Sequence, residues 1–283
     1  MRRRQINLHS SFLALLFFVV FVELGQCFSI EKRSLLSRKD ALLIGIGAAA
    51  SYSYVKQIEQ AFDRIDYPPE HENRVRSVLR TTLAAALENH SSTKVEGPVR
   101  ILEVGIGTAA RLLRRGLYEF PLDVPIELVG LDIRLPTDPK ILEDIHLPDN
   151  VLFRTLQASI TDTKALPEEG SFDAVICCFT LCSVEDPMGA VTSIHRVLRS
   201  TGGVFGFVEH VAAPESNGLA RQQVLLDPLQ NLVAQNCHLH RSTSNTIKEV
   251  FGDASRTLQY EEVQVDSMWP VSYQSYGVTQ RLS

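Results

Sequence analysis

Seven consecutive residues, Glu103-Val104-Gly105-Ile106-Gly107-Thr108-Ala109, follow a short apolar run and carry two glycines two positions apart. Glycine lets a chain turn sharply and brings backbone N–H groups close to a ligand with no Cβ in the way. A helix starting just beyond such a turn offers further free N–H groups. A carboxylate, Glu103, stands before the first glycine. Asp132 closes the next apolar run, 25 residues after Gly107, where an acid can accept both hydroxyls of a ribose. The other reading of Asp132 is a solvated loop acid or a helix cap. Together these residues suit a nucleotide-type cofactor, and both a dinucleotide and S-adenosylmethionine satisfy them.

A second group lies later in the chain. His210, with Glu209 beside it, ends an apolar run and is the candidate general base. Neighbouring strand residues point to opposite faces, so only one of the two can face a substrate. The alternative for His210 is a structural histidine bonded to a loop carbonyl. Cys177 and Cys178 alternate along a buried strand, where cysteine packs as a small apolar residue, and Cys182 falls in a loop beside the expected cleft. Asp227 and Gln223 either line an acceptor pocket or lie on a solvated helix face. Five cysteines in 283 residues, none in a CxxC pair, argue against a disulfide scaffold and against a structural metal. No metal site is expected.

The elements that must position these residues alternate in type. The apolar runs are VRILEV (99–104), IELVGLD (126–132), VLFRTLQ (151–157), AVICCF (174–179) and VFGFVEH (204–210). Between them lie helix-length stretches, of which Pro187 to Leu198 is the plainest, with Ala190, Val191, Ile194, Val197 and Leu198 on one face. Strands apolar on both faces and separated by helices indicate an α/β fold: a doubly wound, seven-stranded, mostly parallel sheet with helices on both faces. Further helices are expected over Ala220 to Ala234 and Asn245 to Phe251. Two last strands, 258–265 and 273–279, are expected as an antiparallel hairpin at the sheet's edge. Tyr67-Pro68-Pro69 breaks the chain, and Val75, Val78, Leu79, Leu83 and Leu87 then recur at helical spacing. The folded domain is therefore expected over residues 70–283.

The net charge of −5 argues against nucleic-acid binding through phosphate neutralisation, and it hides an asymmetry. Residues 1–39 hold seven Lys/Arg against two acids, while the remainder holds 21 against 31. Arg2, Arg3 and Arg4 precede the apolar run Phe12 to Val22, which reads as a signal peptide or an uncleaved membrane anchor over residues 1–28. Residues 29–69 read as a targeting or linker segment. KRSLLSRK running into DALLIGIGAAAS, with Phe28 after the expected cleavage site, resembles the two-part plastid presequence of algae with complex plastids. Arg38-Lys39 stands where a twin arginine would mark a thylakoid signal. Otherwise Ala41 to Val55 is an amphipathic membrane-surface or core helix. Entry into the secretory pathway is expected, then a plastid, with the endoplasmic reticulum membrane as the alternative.

The stretches LEVGIGTA, GLD, GSFDAV and VLRSTGG resemble the class I S-adenosylmethionine-dependent methyltransferases, a Rossmann-like family. LCSV (181–184), EHVAAP (209–214), RQQVLLDPLQ (221–230), NCHLHR (236–241) and SYGV (275–278) look like the membrane-associated thiol methyltransferase branch. The resemblance covers about residues 98–279. It implies S-adenosyl-L-methionine as cofactor, with Glu103, Gly105, Ile106 and Gly107 at its methionine end and Asp132 and Ile133 at the ribose. The adenine contact falls to Ser159 or Asp162. Cys178 is placed near the sulfonium, with Leu181 lining the same pocket. The acceptor it implies is a small thiol at or near a membrane surface. The alternatives are O- or C-methylation of a quinone, phenol or lipid, a non-catalytic cofactor-binding protein, and a dehydrogenase.

Overall fold

The computed structural model describes residues 67–136 and 139–282; the readings of the leader and of the segment 29–66 lie outside them. Seven strands form one sheet: β1 (Val99–Val104), β2 (Ile126–Asp132), β3 (Val151–Gln157), β4 (Ala174–Cys178), β5 (Val204–His210), β6 (Ser255–Gln264) and β7 (Tyr273–Arg281). Their order is β3-β2-β1-β4-β5-β7-β6. β1 to β5 pair in parallel, and β7 runs antiparallel between β5 and β6. The expected hairpin is present, but β7 is its inner strand, so Gln274, Ser275 and Thr279 are buried.

The sheet's two faces carry separate cores because side chains alternate. On one face Ile101, Ile176, Val204, Val208, Tyr276 and Val278 pack beneath α1 (Pro69–Ser92). α1 begins at the predicted proline break, with Pro69 in its first turn beside Glu70 and Glu72, all favourable at a helix N-terminus. Its buried stripe, His71, Val75, Val78, Leu79, Thr82, Leu83 and Ala86, follows the helical period. α1 comes close enough to β5 that a Cβ on Gly206 would overlap the Thr82 hydroxyl. On the other face Leu102, Val175, Cys177 and Phe205 meet Ala190, Val191 and Ile194 of α4 (Pro187–Val197) and Ile247 and Phe251 of α6 (Thr243–Phe251). In chain order α5 (Gly218–Val233) comes between these two helices. No described helix is long and apolar enough to cross a membrane.

Two connections are leaner than the sequence pattern suggests. The helix after the glycine turn, α2, is the single turn Arg111–Arg114, entered through Ala110 in the left-handed region at φ 42°. Between β2 and β3 lies only the short α3 (Pro139–Glu143). One helical turn has few aligned dipoles to offer, so ligand binding here falls to the glycine turn itself.

Asp173, in the FDAV stretch just before β4, is 2% exposed and joins three elements. Its Oδ1 meets Arg199 Nε at 2.6 Å and His90 Nδ1 at 3.0 Å, and its Oδ2 accepts the Arg100 N–H at 2.8 Å. Removing one partner of a buried ion pair leaves the other without a counter-charge. Asp173→Ala is therefore expected to cost about 3 kcal/mol, near the lower end for such pairs because Arg199 is partly exposed. Chemical denaturation read by circular dichroism checks this; a loss below about 0.5 kcal/mol would mean that Asp173 ties nothing together.

Candidate active site

The carboxyl ends of β1, β2, β4 and β5 lie side by side, where an open α/β sheet places its chemistry. At β1, Glu103 is 3% exposed and accepts a hydrogen bond from the Tyr118 hydroxyl at 2.7 Å. Burial pushes its carboxyl up to about 7, against the pull of that bond. Gly105 and Gly107 sit at φ +79° and +67°, a region that favours glycine. Their surroundings differ. A Cβ on Gly105 would collide with the Thr180 side chain, so this glycine lets the β4 turn close over the β1 turn; around Gly107 nothing lies nearer than 4.0 Å to the Cβ position. The side chain of Ile106 is buried in the core.

Asp132 ends β2 half-buried. It accepts the Gly107 N–H on Oδ2 and the Arg134 N–H on Oδ1, both at 2.9 Å, which fixes the carboxylate and leaves each oxygen a second lone pair. Ile133 beside it is 60% exposed, an apolar surface next to that carboxylate. Ser159 is half-buried and bonds the Thr161 hydroxyl at 2.8 Å, and Asp162 is exposed, with its Oδ1 accepting the Lys164 N–H at 3.2 Å. These four residues ring the edge where β2 and β3 end.

The turn after β4 is built on Glu209. This side chain is fully buried and takes the Thr180 and Leu181 N–H groups on Oε1 at 2.9 and 3.0 Å and the Cys182 N–H on Oε2 at 3.3 Å, with Cys177 Sγ at 3.4 Å from Oε1. Burial raises its carboxyl above the usual range, and the Leu181 and Thr180 N–H groups oppose this. With its oxygens so occupied Glu209 acts as a loop anchor, not as a group open to a substrate. Leu181 is likewise fully buried in the α4-side core. Cys178, half-buried, packs on the α1 side, where burial holds its thiol high.

His210 takes the opposite face. It is 2% exposed, its Nε2 lies 2.9 Å from Cys237 Sγ, and its Nδ1 is buried with no hydrogen-bond partner among the described residues. Its ring stands 6.0 Å from that of Phe179, which stacks on His71 at 5.2 Å. Tyr67 completes the group, edge-on to His71 at 4.7 Å and to Phe179 at 5.7 Å, with the Arg111 guanidinium 4.4 Å from its centroid. Phe179 is held at φ 52°, an uncommon conformation for a bulky residue that needs support from its surroundings. Burial pushes His71 down to about 4, so it is neutral at physiological pH.

Tyr67, His71, Phe179 and Cys237 are absent from the sequence-derived site. His71 shares the i, i+4, i+7 stripe with Val75 and Val78, so a histidine on an apolar helix face was a readable signal. Gln223 and Asp227 depart from both sequence readings. Gln223 is fully buried and bridges the Ala213 N–H and the Val211 carbonyl, while Asp227 accepts the Leu239 N–H at 2.6 Å and meets His238 at 3.1 Å. Gln223 fastens α5 to the chain just after β5, and Asp227 fastens α5 to the loop that follows it. A hollow lined by Pro98, Pro125, Ile126, Asn150 and Val151 opens at the amino ends of the strands, away from all of this.

A family model described as a methyltransferase domain matches residues 102–206. The thiol S-methyltransferase TMT1B of Rattus norvegicus is 33% identical over 98 residues, covering 35% of this chain and 36% of that protein. The human TMT1B is 32% identical over 183 residues, 63% of this chain and 66% of the relative. The human thiol S-methyltransferase TMT1A is 27% identical over 174 residues, 61% and 66% of the two chains. The chain thus spans about a third of the first relative's length and just under two thirds of the other two. Among solved structures, an S-adenosylmethionine-dependent methyltransferase of Methanosarcina mazei superposes with a TM-score of 0.45 at 16% identity, over 68% of this chain and 96% of that one. By the methyltransferase-domain match and the thiol S-methyltransferase relatives, the chain is related to the class I S-adenosylmethionine-dependent methyltransferases and, among them, to the thiol methyltransferase branch.

Proposed function

We propose that the chain transfers a methyl group from S-adenosylmethionine to a small thiol. The observation that carries this reading is the buried Glu103 carboxyl, met among the described residues by the Tyr118 hydroxyl, beside an open glycine at 107 and an oriented acid at 132. A buried acid wants a cation, and the ammonium of the cofactor's methionine end supplies one. The open Gly107 position accommodates the chain of the ligand, Asp132 receives the ribose hydroxyls, and Ile133 with Ser159 or Asp162 borders the adenine. When bound, S-adenosylmethionine supplies a sulfonium methyl with a good leaving group. The protein's part is then mainly alignment and exclusion of water.

The aromatic group Tyr67, His71 and Phe179 forms the dry wall beside that position, and ring faces favour a sulfonium cation. His210, with its unpartnered Nδ1, marks the acceptor side. The names of the curated relatives support a thiol acceptor, and a free thiol, with a pKa of roughly 8.5, needs only modest help to ionise. The basic and apolar leader supports delivery to a membrane, and the plastid reading stands on the same residues. N-terminal sequencing of the mature protein checks cleavage, and an intact Met1 sinks the signal-peptide reading in favour of an anchor.

The full chain is expected to move a labelled methyl group from S-adenosylmethionine to a simple alkyl thiol. Transfer to phenols or quinones but to no thiol would favour the O- or C-methylating alternative. Asp132→Ala is expected to weaken cofactor binding roughly ten- to a hundredfold, since hydrogen bonds to a charged group are each worth about 1.5–3 kcal/mol. His210→Ala should lower kcat about a hundredfold or more with cofactor affinity unchanged. Calorimetry with S-adenosylmethionine separates the two effects, and undetectable binding would support a non-catalytic protein.

Glu103 adds a pH dependence. Its folded-state pKa, about 7, lies above the ordinary 4.5, so its contribution to stability is complete below about pH 4.5 and is lost as pH rises through 7, at up to about 1.4 kcal/mol per pH unit. Glu103→Gln is expected to raise the Tm of the cofactor-free protein at pH 8 while weakening cofactor binding. A variant less stable than the parent at that pH would refute the burial argument.

A further inference from the structure

Three residues that chelate soft metals converge beside the proposed acceptor position. Cys182 lies in the turn after β4, His210 ends β5, and Cys237 lies in the loop between α5 and α6. Their donor atoms all fall within 4.8 Å of one another. The residues are 1%, 2% and 7% exposed. A tetrahedral zinc ion has bonds of about 2.0–2.3 Å, which separate its donors by roughly 3.5–3.8 Å. The 2.9 Å contact between His210 Nε2 and Cys237 Sγ would thus open by about half an ångström, within reach of side-chain rotation.

The backbone around these side chains is firmly held. Glu209 fixes the Cys182 N–H, and the Cys182 carbonyl accepts the His238 N–H at 2.9 Å, joining the two cysteine loops. Gln235 and Asn236, just before Cys237, stand at φ 55° and 66°. Two successive left-handed residues are costly and persist only where the surroundings impose them. Here the Asn236 amide donates to the Ser183 carbonyl at 2.8 Å, and Arg241 donates to the Leu181 and Val184 carbonyls. A second observation points to a ligand. Gln230, 5% exposed, has its Nε2 3.7 Å from Cys237 Sγ, and its Oε1 is buried without a hydrogen-bond partner among the described residues. The amide thus sets a donor against one of the sulfurs and leaves a buried polar atom beside it.

We propose that Cys182, His210 and Cys237 bind one zinc ion through two thiolates and an imidazole, with the fourth position open to the sulfur of the acceptor. Two thiolates neutralise a divalent ion, so the loaded site adds no net charge to the interior. Three protein ligands with one open place is the arrangement of catalytic zinc. The second half of the proposal rests on the thiol methyltransferase reading. In it, His210 serves as a ligand, and the ion takes the activating role. The acceptor loses its S–H proton to solvent as its sulfur meets the ion. That sulfur then forms the S–CH₃ bond while the methyl–sulfonium bond breaks, its electron pair returning to the cofactor's sulfur. Both products are neutral thioethers, which are weak zinc ligands.

The test titrates cobalt(II) into reduced, metal-free full-length protein. The expected result is one equivalent bound, with visible absorption of tetrahedral intensity and a thiolate charge-transfer band, both displaced by zinc. Cys182→Ser and Cys237→Ser should each weaken binding at least tenfold. Should these variants fail to fold, zinc protection of both cysteines against alkylation in the unmodified chain, mapped by mass spectrometry, gives the same reading. Absence of thiolate-bearing cobalt spectra, with both cysteines equally alkylated in the presence and absence of zinc, overturns the site. Adding an alkyl thiol should shift the cobalt spectrum, and an unshifted spectrum overturns acceptor binding at the ion. If methyl transfer to thiols persists undiminished in chelated protein, the ion's role in transfer falls while the site stands. If no thiol is methylated yet the cobalt spectrum forms, the thiol reading fails and the metal site survives.

Discussion

A carboxylate sealed inside a protein persists only where donors meet it, and Glu209 is met by the backbone of the turn it organises. Thr180, Leu181 and Cys182 all point their N–H groups at its two oxygens. The sheet delivers Glu209 at the end of β5, the turn leaves the end of β4, and the pair of strands is thereby locked at the edge where chemistry occurs. The neighbouring features of the site depend on this lock. Phe179 can hold a left-handed conformation because its own N–H is taken by the Val208 carbonyl at 2.8 Å and the residues after it are pinned. Thr180 is pressed against Gly105, so the β4 turn also fixes the β1 turn. Cys182 is set opposite Cys237 by the same bonds. An acid that resembles a catalytic partner of His210 in the sequence is, physically, the reason the site has a shape.

Alternation along β5 then divides the labour. Glu209 faces Cys177 and the α4 side, and His210 faces the α1 side with Val208. One strand end therefore supplies both an anchor and a buried imidazole without their competing for the same space. The inserted antiparallel β7 serves the second face. Its register sets His210 opposite Gln274, and Gln274 in turn holds the His71 Nδ1 at 2.9 Å. Helix α1 is thereby tied through one buried histidine to the strand that flanks the site, and the residues just before it bring Tyr67 over the centre.

The strands, the glycine turn and Asp132 were legible in the sequence because each is a local pattern: an apolar run, a pair of glycines, an acid at a strand's end. The helix after the glycine turn was overestimated, since Ala110 turns left-handed and the chain leaves the helical path after one turn. Gln223 and Asp227 looked like a solvated face because polar residues on a helix usually are; they are instead buried partners of backbone groups, Gln223 just after β5 and Asp227 in the loop after α5. Cys237 stood in the sequence only as part of the NCHLHR stretch, with no partner in reach. Its partners Cys182 and His210 lie 55 and 27 residues away, and only the return of the chain after α5 brings them together. The absence of close-spaced cysteine pairs excluded zinc fingers, not a site assembled by tertiary contacts.

Burial does two kinds of work around the proposed methyl donor, of opposite sign. It raises Glu103 to about 7, so that a cation arriving beside it would draw it to the anion. It lowers His71 to about 4, so that the imidazole stacked on Phe179 carries no charge at physiological pH. A charged imidazolium there would repel a sulfonium across the rings that should attract it, whereas a neutral one adds to the aromatic wall. The same desolvation that makes an acid wait for its cation thus keeps a base from supplying a wrong one. Burial of both side chains is the condition for this.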